Sequence, residues 1–451
     1  MAFTEIMFHI RRFVHKNSRH ANLFPEKLFN KRHKVPAHFY VADDQLVEQI
    51  DNAIQPFMQQ TKCDTVIEMN PGIGLFTRKL LNRDDRLKKI ILIEAMEHFL
   101  PGLHDFHALY PERVKVKHND LVSLWKLSFQ DRMDNGTRVA DMLSDLPKRE
   151  HNEDPSALLF GAVGCYNFFK HLVNSIIFQN GMFSWGRMEM FLAVPPPIYI
   201  HLTCKNDVGY MIYRSTSMLF QMLFEYRFIA QLPREHFLPN QIEHKPIKGS
   251  RLRKVQSINP EYLYLVRIVP RQNFLDLCPI EDLQPLWYFV KQNCVSRRNR
   301  IIPNLEKWIP GCGPRLIVNS VPSETLKPLY PDEDDVELPQ YSTRCTTMSN
   351  RDFYPNINIY TQFGDLSASQ MLTLFTQFRK WPEYSESAFV ASLESTLLKL
   401  EAAADENMGI TEEDDLPNEE TAFEDVKETE TESSQTKPLK KSKLNAAVSN
   451  Y

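Results

Sequence analysis

Between about residue 40 and residue 272, short apolar runs alternate with segments whose apolar residues recur at helical spacing. The apolar runs predict strands, and their alternation with helices predicts a βαβ sheet. The clearest helical patterns here are YVADDQLVEQIDNAI (40–54) and FFKHLVNSIIF (168–178). The strand candidates are DTVIEM (64–69), KIILIEA (89–95), RVKVKHND (113–120), ALLFGAVG (157–164), MEMFLAVP (188–195) and YLYLVRIVP (262–270).

Beyond residue 273 the pattern becomes helical, most clearly in PLWYFVKQNCVSRRNRIIPNLEKW (285–308) and SASQMLTLFTQFRKW (367–381). The sequence therefore predicts an α/β fold, with an α/β domain over residues 21–272 and a smaller helical domain over residues 273–402. A proline- and serine-containing acidic stretch near 322–350 reads as a loop or insertion within the second domain.

Charge is distributed unevenly along the chain. Residues 401–451 carry 14 acidic and 5 basic side chains, so a formal net charge of −4 for the whole chain leaves the first 400 residues with +5. The composition of residues 403–451 predicts a disordered tail, because it offers too little apolar surface to offset the entropy of ordering. The mildly basic remainder suits a nucleic-acid partner.

The first 20 residues bear four Lys or Arg side chains against one acid, with apolar residues on one helical face. This is typical of a mitochondrial targeting segment, although an ordinary basic first helix has the same pattern. The most apolar stretch, around residues 157–183, is interrupted by Lys170, His171 and Asn174, so no membrane span is predicted. Seven cysteines without a C-x-x-C pair indicate neither a disulfide framework nor a metal site.

The segment VIEMNPGIGLFT (66–77) takes a predicted strand into a proline-glycine turn. Gly72 and Gly74 allow a tight turn and close approach of a ligand, and the following helix directs its first amides toward that ligand. Glu94 ends the next strand, where an acid typically accepts hydrogen bonds from ribose hydroxyls. Asp120 ends the third strand, where it could meet an adenine amine. This order of elements predicts a Rossmann-like S-adenosylmethionine methyltransferase domain.

EMNPGIGLFT resembles the E-x-G-P-G-x-G-x-L-T signature of the rRNA adenine dimethyltransferases, with Asn70 where that family has glycine. FLPNQIEHKPI, LVRIVPR and SRRNRIIPNL are similar to later segments of the same family, so the resemblance covers most of residues 40–310. It implies that S-adenosylmethionine is bound by Glu68, Asn70, Gly72, Gly74, Glu94 and Asp120. Because Asn70 places a side chain in the loop, that site is either retained in weakened form or vestigial.

The resemblance fails where that family places its catalytic tetrad, Asn-Leu-Pro-Tyr or Phe, after the fourth strand. The tetrad grips the adenine amine and stacks on the base. Here Ala162, Val163, Gly164 and Cys165 stand in its place, which removes the amine acceptor. A shifted alignment would put Asn167 in the role of acceptor, with Tyr166 or Phe168 as the stacking ring. The sequence otherwise predicts no catalytic residue.

The replaced tetrad, GRMEMFLAVPPPIYIHL and the closing FGDLSASQMLTLFTQFRKWPEY resemble a branch of the family, the fungal mitochondrial transcription factors B. That branch implies a transcription initiation factor of the mitochondrial matrix that binds the single-subunit mitochondrial RNA polymerase and holds single-stranded promoter DNA. Two alternatives remain: an rRNA adenine N6-dimethyltransferase with a diverged tetrad, and an assembly factor that binds rRNA without modifying it.

Cations and aromatic side chains cluster within residues 285–308. The predicted nucleic-acid contacts are Lys291, Arg297, Arg298 and Arg300, because cations meet phosphates and neighbouring rings stack unpaired bases. For Trp287 and Trp308 the interpretation as core residues is favoured over base stacking. For the arginines the alternative is a solvated face.

Overall fold

A computed structural model gives the structure of the chain. It describes residues 20–30, 36–83, 87–205, 212–239, 259–296, 298–318 and 357–406. The first 19 residues of the predicted targeting segment, the acidic segment 322–350, Arg297 and the tail beyond Glu406 lie outside these ranges.

Seven of the nine described strands form one mixed sheet in the order β4-β3-β2-β5-β6-β9-β7. The first five of that order are parallel, β9 runs antiparallel to β6, and β7 runs antiparallel to β9. The two short remaining strands, β1 and β8, pair with each other. The strands are β1 (Tyr40–Val41), β2 (Thr65–Met69), β3 (Lys89–Glu94), β4 (Val114–His118), β5 (Ala157–Ala162), β6 (Met188–Val194), β7 (Phe224–Pro233), β8 (Phe237–Leu238) and β9 (Tyr262–Pro270).

All six predicted strands are confirmed, with ends shifted by at most two residues. Both faces of β2 and β6 are buried, which explains why both strands are mostly apolar, with one acid each, Glu68 and Glu189. The sequence did not reveal β7. This edge strand is mostly half-buried and follows a helix without an intervening turn, so it lacks both strand signals.

The described α-helices cover both faces of the sheet and continue beyond it. They are α1 (Lys27–Asn30), α2 (Asp44–Gln60), α3 (Leu75–Asn82), α4 (Leu100–Leu109), α5 (Leu124–Asp134), α6 (Arg138–Leu143), α7 (Tyr166–Ile177), α8 (Pro196–Thr203), α9 (Ser215–Leu223), α10 (Phe274–Leu277), α11 (Ile280–Asn293), α12 (Ile301–Trp308), α13 (Gly313–Val318), α14 (Ala368–Arg379) and α15 (Ala388–Glu406).

Two helical predictions need correction, and one further helix bears on the predicted tail. The first predicted helix begins at Asp44, because Asp43 caps it by accepting a hydrogen bond from the Gln45 amide, and the residues before the cap are extended. The apolar stretch 285–308 is two helices, α11 and α12, and not one. Helix α15 extends past the predicted start of the disordered tail.

Two hydrophobic clusters fill the two sides of the sheet. Alternate residues of β2 point into different clusters, as in any strand covered on both faces. One cluster contains the apolar faces of α2, α3 and α4. The other contains α7 and α9 and continues without a break into α11 and α14. The domain boundary at 272/273 stays a prediction. Among the described helices, none is both long and apolar enough to cross a membrane.

Candidate functional site

The glycine loop follows β2 and turns through three left-handed residues. Asn70, Gly72 and Gly74 have φ of 55°, 59° and 74°, and Asn is one of the few residues besides Gly that adopts this region readily. An added Cβ would lie 3.0 Å from the Tyr40 ring at Gly72 and 2.5 Å from the Phe106 ring at Gly74. The close approach that these glycines allow is therefore, in the described structure, an approach to the chain's own side chains.

Glu94 is fully buried at the end of β3, and its carboxylate accepts hydrogen bonds from other residues of the chain. Oε2 accepts a hydrogen bond from the Gly72 amide at 3.0 Å, and Oε1 accepts from the Met96 amide at 2.7 Å and from the Tyr40 hydroxyl at 3.4 Å. Burial raises the pKa of Glu94, although the two amides oppose that shift. Burial and the neighbouring Glu94 raise the pKa of Tyr40 as well. Glu94 thus fastens the glycine loop to β3.

Glu68 lies at the end of β2 and is also buried. The Thr77 hydroxyl donates a hydrogen bond to its Oε2 at 2.6 Å, which ties β2 to the first turn of α3. Burial raises the pKa of Glu68 to about 7, because removing the carboxylate from water disfavours its charged form. Through its hydrogen bond with Thr77, Glu68 therefore connects the two elements on either side of the glycine loop, β2 and α3.

A segment that precedes α2 crosses the carboxyl ends of three strands; we call residues 36–40 the strap. His38 of the strap lies with its Nε2 2.8 Å from Oδ1 of Asp120, which also accepts from the amides of Val122 at 3.0 Å and Ser123 at 3.2 Å. Burial alone would raise the pKa of Asp120, but the hydrogen bonds with His38 and Ser123 hold that pKa below its usual value. The group expected to face adenine therefore binds the strap.

The strap also packs against residues 162–164, where the family has its catalytic tetrad. The Phe39 amide donates to the Ala162 carbonyl at 3.3 Å, and the Gly164 amide donates to the Ala37 carbonyl at 3.0 Å. A Cβ on Gly164 would collide with the carbonyl oxygen of Pro36. The strap therefore lies so close that position 164 requires glycine, whereas the tetrad has proline there.

The shifted alignment places its residues poorly for gripping a base. Phe168 is completely buried in the core, so its ring cannot stack on a substrate. Tyr166 packs edge-on against His201 with ring centroids 4.8 Å apart. Asn167 is exposed in the first turn of α7, where Cys165 occupies the N-cap position. Of these side chains, only that of Asn167 points to solvent.

Asn70 carries a polar group that the described structure leaves unbonded. Its side chain is 5% exposed, and neither amide atom has a hydrogen-bond partner among the described residues. A buried amide without a partner is destabilising by roughly 1–3 kcal/mol, so such a group usually meets a ligand or a water molecule. Glu94 can accept about one more hydrogen bond, since a carboxylate has about four acceptor sites and three of them are used. The unbonded Asn70 amide and the remaining acceptor site of Glu94 fit part of the hydrogen-bonding needs of an adenosyl ligand.

The predicted nucleic-acid residues lie in different environments. Lys291 is half-buried in the last turn of α11, with its ammonium 6.0 Å from the centre of the Trp287 ring. Arg298 and Arg300 are exposed in the break between α11 and α12. Arg297 lies outside the described residues. Trp287 is 5% exposed, and Trp308 packs against Phe289, Phe378 and Phe389, so both tryptophans are part of the core.

Sequence reasoning missed the strap and one exposed aromatic residue, Tyr360. His38 and Tyr40 precede α2 in a short stretch that carries no motif, and the predicted helix included only Tyr40 of the strap. Tyr360 follows a long acidic stretch and has no periodic pattern around it. In the part of the chain that the structure describes, no group of three His, Cys, Asp or Glu side chains could hold a metal ion.

Comparisons with known proteins agree with this architecture. The family model for ribosomal RNA adenine dimethylase matches residues 29–313. The chain is 59% identical over 413 residues to dimethyladenosine transferase 2, mitochondrial, of Drosophila melanogaster, covering 90% of this chain and 91% of that protein. It is 21% identical over 260 residues to the protein of that name from Homo sapiens, covering 54% and 62%.

Among solved structures, a dimethyladenosine transferase from Plasmodium falciparum aligns with a TM-score of 0.41 at 12% identity, covering 75% of this chain and 96% of that chain. The sheet described above, with five parallel strands and a glycine loop after β2, fits the predicted Rossmann-like methyltransferase domain. Given the match of the family model to more than half of its length, the chain belongs to the ribosomal RNA adenine dimethylase family.

Proposed function

We propose that this chain is a mitochondrial transcription initiation factor that binds the mitochondrial RNA polymerase and promotes promoter melting by holding single-stranded DNA. The observation that carries the proposal is the closed strand end, where the strap bonds to Ala162 and Gly164 in the place of the catalytic tetrad. A protein that keeps the family fold without the amine-gripping residues is suited to binding nucleic acid without methylating it. The narrower likeness to the fungal branch stays a prediction.

The chemistry of adenine N6 explains why the closed strand end matters. The N6 lone pair is delocalised into the ring, so catalysis requires acceptors that hold the amine and a ring that stacks on the base. Ala162 offers only its backbone carbonyl, which accepts the Phe39 amide. Asp120 is bonded to His38, and Phe168 is buried in the core. Within the described residues, no group at this end combines an accessible acceptor with a free ring.

Location in the mitochondrial matrix is part of the proposal. It is supported by the amphipathic, Arg-bearing pattern of the first 20 residues and by the mitochondrial name of the Drosophila melanogaster relative.

Reconstituted transcription tests the proposal directly. The protein and its cognate polymerase are combined on a closed linear promoter and on the same promoter with a pre-melted start site. We expect the protein to be required on the duplex template and dispensable on the pre-melted one, since its role is to hold the opened strand. Equal transcription with and without the protein on the duplex template would overturn the proposal.

A second candidate is an rRNA adenine N6-dimethyltransferase that uses S-adenosylmethionine. Its support is the glycine loop with the unbonded Asn70 amide and the transferase names of the relatives. Incubation with undermethylated small-subunit rRNA and labelled S-adenosylmethionine separates the two functions. We expect no transfer of label above that of a denatured control; transfer that Glu94→Ala abolishes would favour this second candidate.

We also propose that the glycine loop retains an adenosyl ligand through Asn70. This reverses the expectation that the Asn70 side chain weakens the site, because the unbonded amide can donate to and accept from the ligand. Asn70→Gly should therefore weaken binding of S-adenosylhomocysteine by roughly tenfold, the usual contribution of about one hydrogen bond. Isothermal titration calorimetry measures this without turnover. Asn135→Gly is the matched control, because Asn135 has a similar φ of 53° but is exposed at the end of α5. Unchanged affinity in Asn70→Gly would contradict the assignment.

A further inference from the structure

A rigid turn displays an aromatic side chain beside the break between α11 and α12. The Asn358 side chain accepts from the Tyr360 amide at 2.8 Å, and the Thr361 hydroxyl accepts from the Asn358 amide at 2.9 Å. A backbone bond from Thr361 to Asn358 at 3.1 Å closes the turn. Tyr360 is 66% exposed and its neighbour Ile359 is 50% exposed. The turn therefore holds the Tyr360 ring in solvent, where the ring buries little of its apolar surface.

The turn is attached to the chain that leads into α12. The Ile301 amide donates to the Thr361 carbonyl at 2.9 Å, and the Phe363 amide donates to the Asn299 carbonyl at 2.9 Å. Arg300 pairs with Gln362 in the bridge between the two segments. Phe363 is completely buried, so this attachment is anchored in the core.

Arg300 lies over the exposed ring. Its guanidinium is 5.3 Å from the centre of the Tyr360 ring, and it has no carboxylate partner among the described residues. The exposed Arg298 lies two residues away in the same break. The acid beside the turn, Asp365, accepts the Gln362 amide at 3.0 Å. The surface thus combines a fixed ring with a cation that no acid in the described structure neutralises.

We propose that Tyr360 is a stacking platform for one unpaired base of single-stranded DNA and that Arg300 contacts the adjacent phosphate. This combination of ring and cation is the usual mode of sequence-tolerant single-strand binding. Apolar contact with a protein partner would not require an unneutralised arginine at the ring. The inference rests on the proposed function, and it assigns a strand contact within it.

Fluorescence anisotropy of a labelled oligothymidine with the full chain tests the platform. Tyr360→Ala should weaken binding by roughly 5- to 100-fold, the range that stacking of one base gives, and should leave the salt dependence unchanged. Tyr360→Phe should bind like the wild type, because the ring is retained. Arg300→Ala should lower the slope of log K against log salt by about 0.7, the value for one phosphate on a single strand.

Tyr110→Ala is the matched control, since Tyr110 is an exposed tyrosine at the end of α4. Thermal melting of each variant should match that of the wild type, because the Tyr360 ring is mostly in solvent. Equal affinity of Tyr360→Ala and Tyr110→Ala would overturn the platform while leaving the proposed function standing. A wild-type protein that binds no oligothymidine would overturn both, and a loss confined to an RNA strand would overturn the assignment to DNA.

Discussion

At the carboxyl ends of β3, β4 and β5, polar side chains are bonded to the chain itself, whereas at the Arg300–Tyr360 pair a ring and a cation face solvent. Glu94, Asp120 and the strand end at Gly164 all contact the strap. The Arg300 guanidinium lies over the Tyr360 ring and has no carboxylate partner among the described residues. The strap thus covers the strand ends that carry catalysis in a methyltransferase. The Arg300–Tyr360 pair, which lies outside those strand ends, faces solvent.

The difference has a physical origin. Buried carboxylates and amides must be hydrogen-bonded, so once the tetrad is absent a segment of the chain that supplies partners stabilises the strand ends. An exposed ring and cation are under no such constraint, because water satisfies them until a ligand arrives. The Asn70 amide, which has no hydrogen-bond partner among the described residues, is the exception, and we therefore propose it as the remaining ligand contact.

The largest effect is expected from restoring the family's proline at the closed end. Gly164→Pro removes the amide that donates to the Ala37 carbonyl and brings ring atoms against Pro36. We expect a loss of about 4 kcal/mol in the free energy of unfolding, since overpacking and an unpaired buried carbonyl each add roughly 1–3 kcal/mol. Urea unfolding measures it. Gly102→Ala is the control, because a Cβ there meets nothing within 4 Å; equal stability of the two variants would show that the strap is loosely held.

Glu68 makes the closed end sensitive to pH. Its pKa is raised from 4.5 to about 7, so as pH rises through that window the unfolded chain releases a proton that the folded chain keeps. The free energy of unfolding should therefore fall with rising pH, by about 3 kcal/mol in total. Glu68→Gln should lack this fall while still accepting from Thr77. Urea unfolding from pH 4.5 to 8 compares it with the exposed Glu97→Gln; parallel curves for all three proteins would contradict the assignment.

Loosening the strap should open the adenosyl site. Tyr40→Phe removes the 3.4 Å hydrogen bond to Glu94 and frees one acceptor position for a ribose hydroxyl. We expect a stability loss of at most about 1 kcal/mol and tighter binding of S-adenosylhomocysteine by calorimetry. Tyr213→Phe loses a comparable bond, to the Leu366 carbonyl, far along the chain from the loop. If both variants bind the ligand as the wild type does, the strap does not compete with it.

The smallest effect separates two of the predicted nucleic-acid cations. Arg298→Ala should lower the salt slope of single-strand binding by about 0.7, because Arg298 is exposed beside Arg300. Lys291→Ala should leave the slope unchanged, since Lys291 is half-buried against Trp287. Anisotropy titrations over a range of salt concentrations measure both slopes. The reverse order would show that the nucleic acid follows α11 instead of the break after it.

Sequence predicted six of the seven strands of the large sheet, because strands buried on both faces, such as β2 and β6, consist mostly of apolar residues. It also located the glycine loop after β2, since the left-handed turn restricts which residue types can occupy it, and Glu94 as the last residue of β3. The break at residues 294–300 was missed because an apolar pattern on both sides reads as one helix. Before α12 begins, residues 299–301 pair with residues 361–363, which lie far along the chain.

By itself, the sequence determined six strands of the large sheet and that the tetrad is absent, because periodicity and residue type act over short distances. Only the tertiary structure decided what each polar group contacts. Glu94 and Asp120 are 54 and 82 residues away from their strap partners Tyr40 and His38, and Arg300 meets Tyr360 across a long intervening segment. Such contacts depend on how the folded chain brings distant residues together, and no local pattern encodes them.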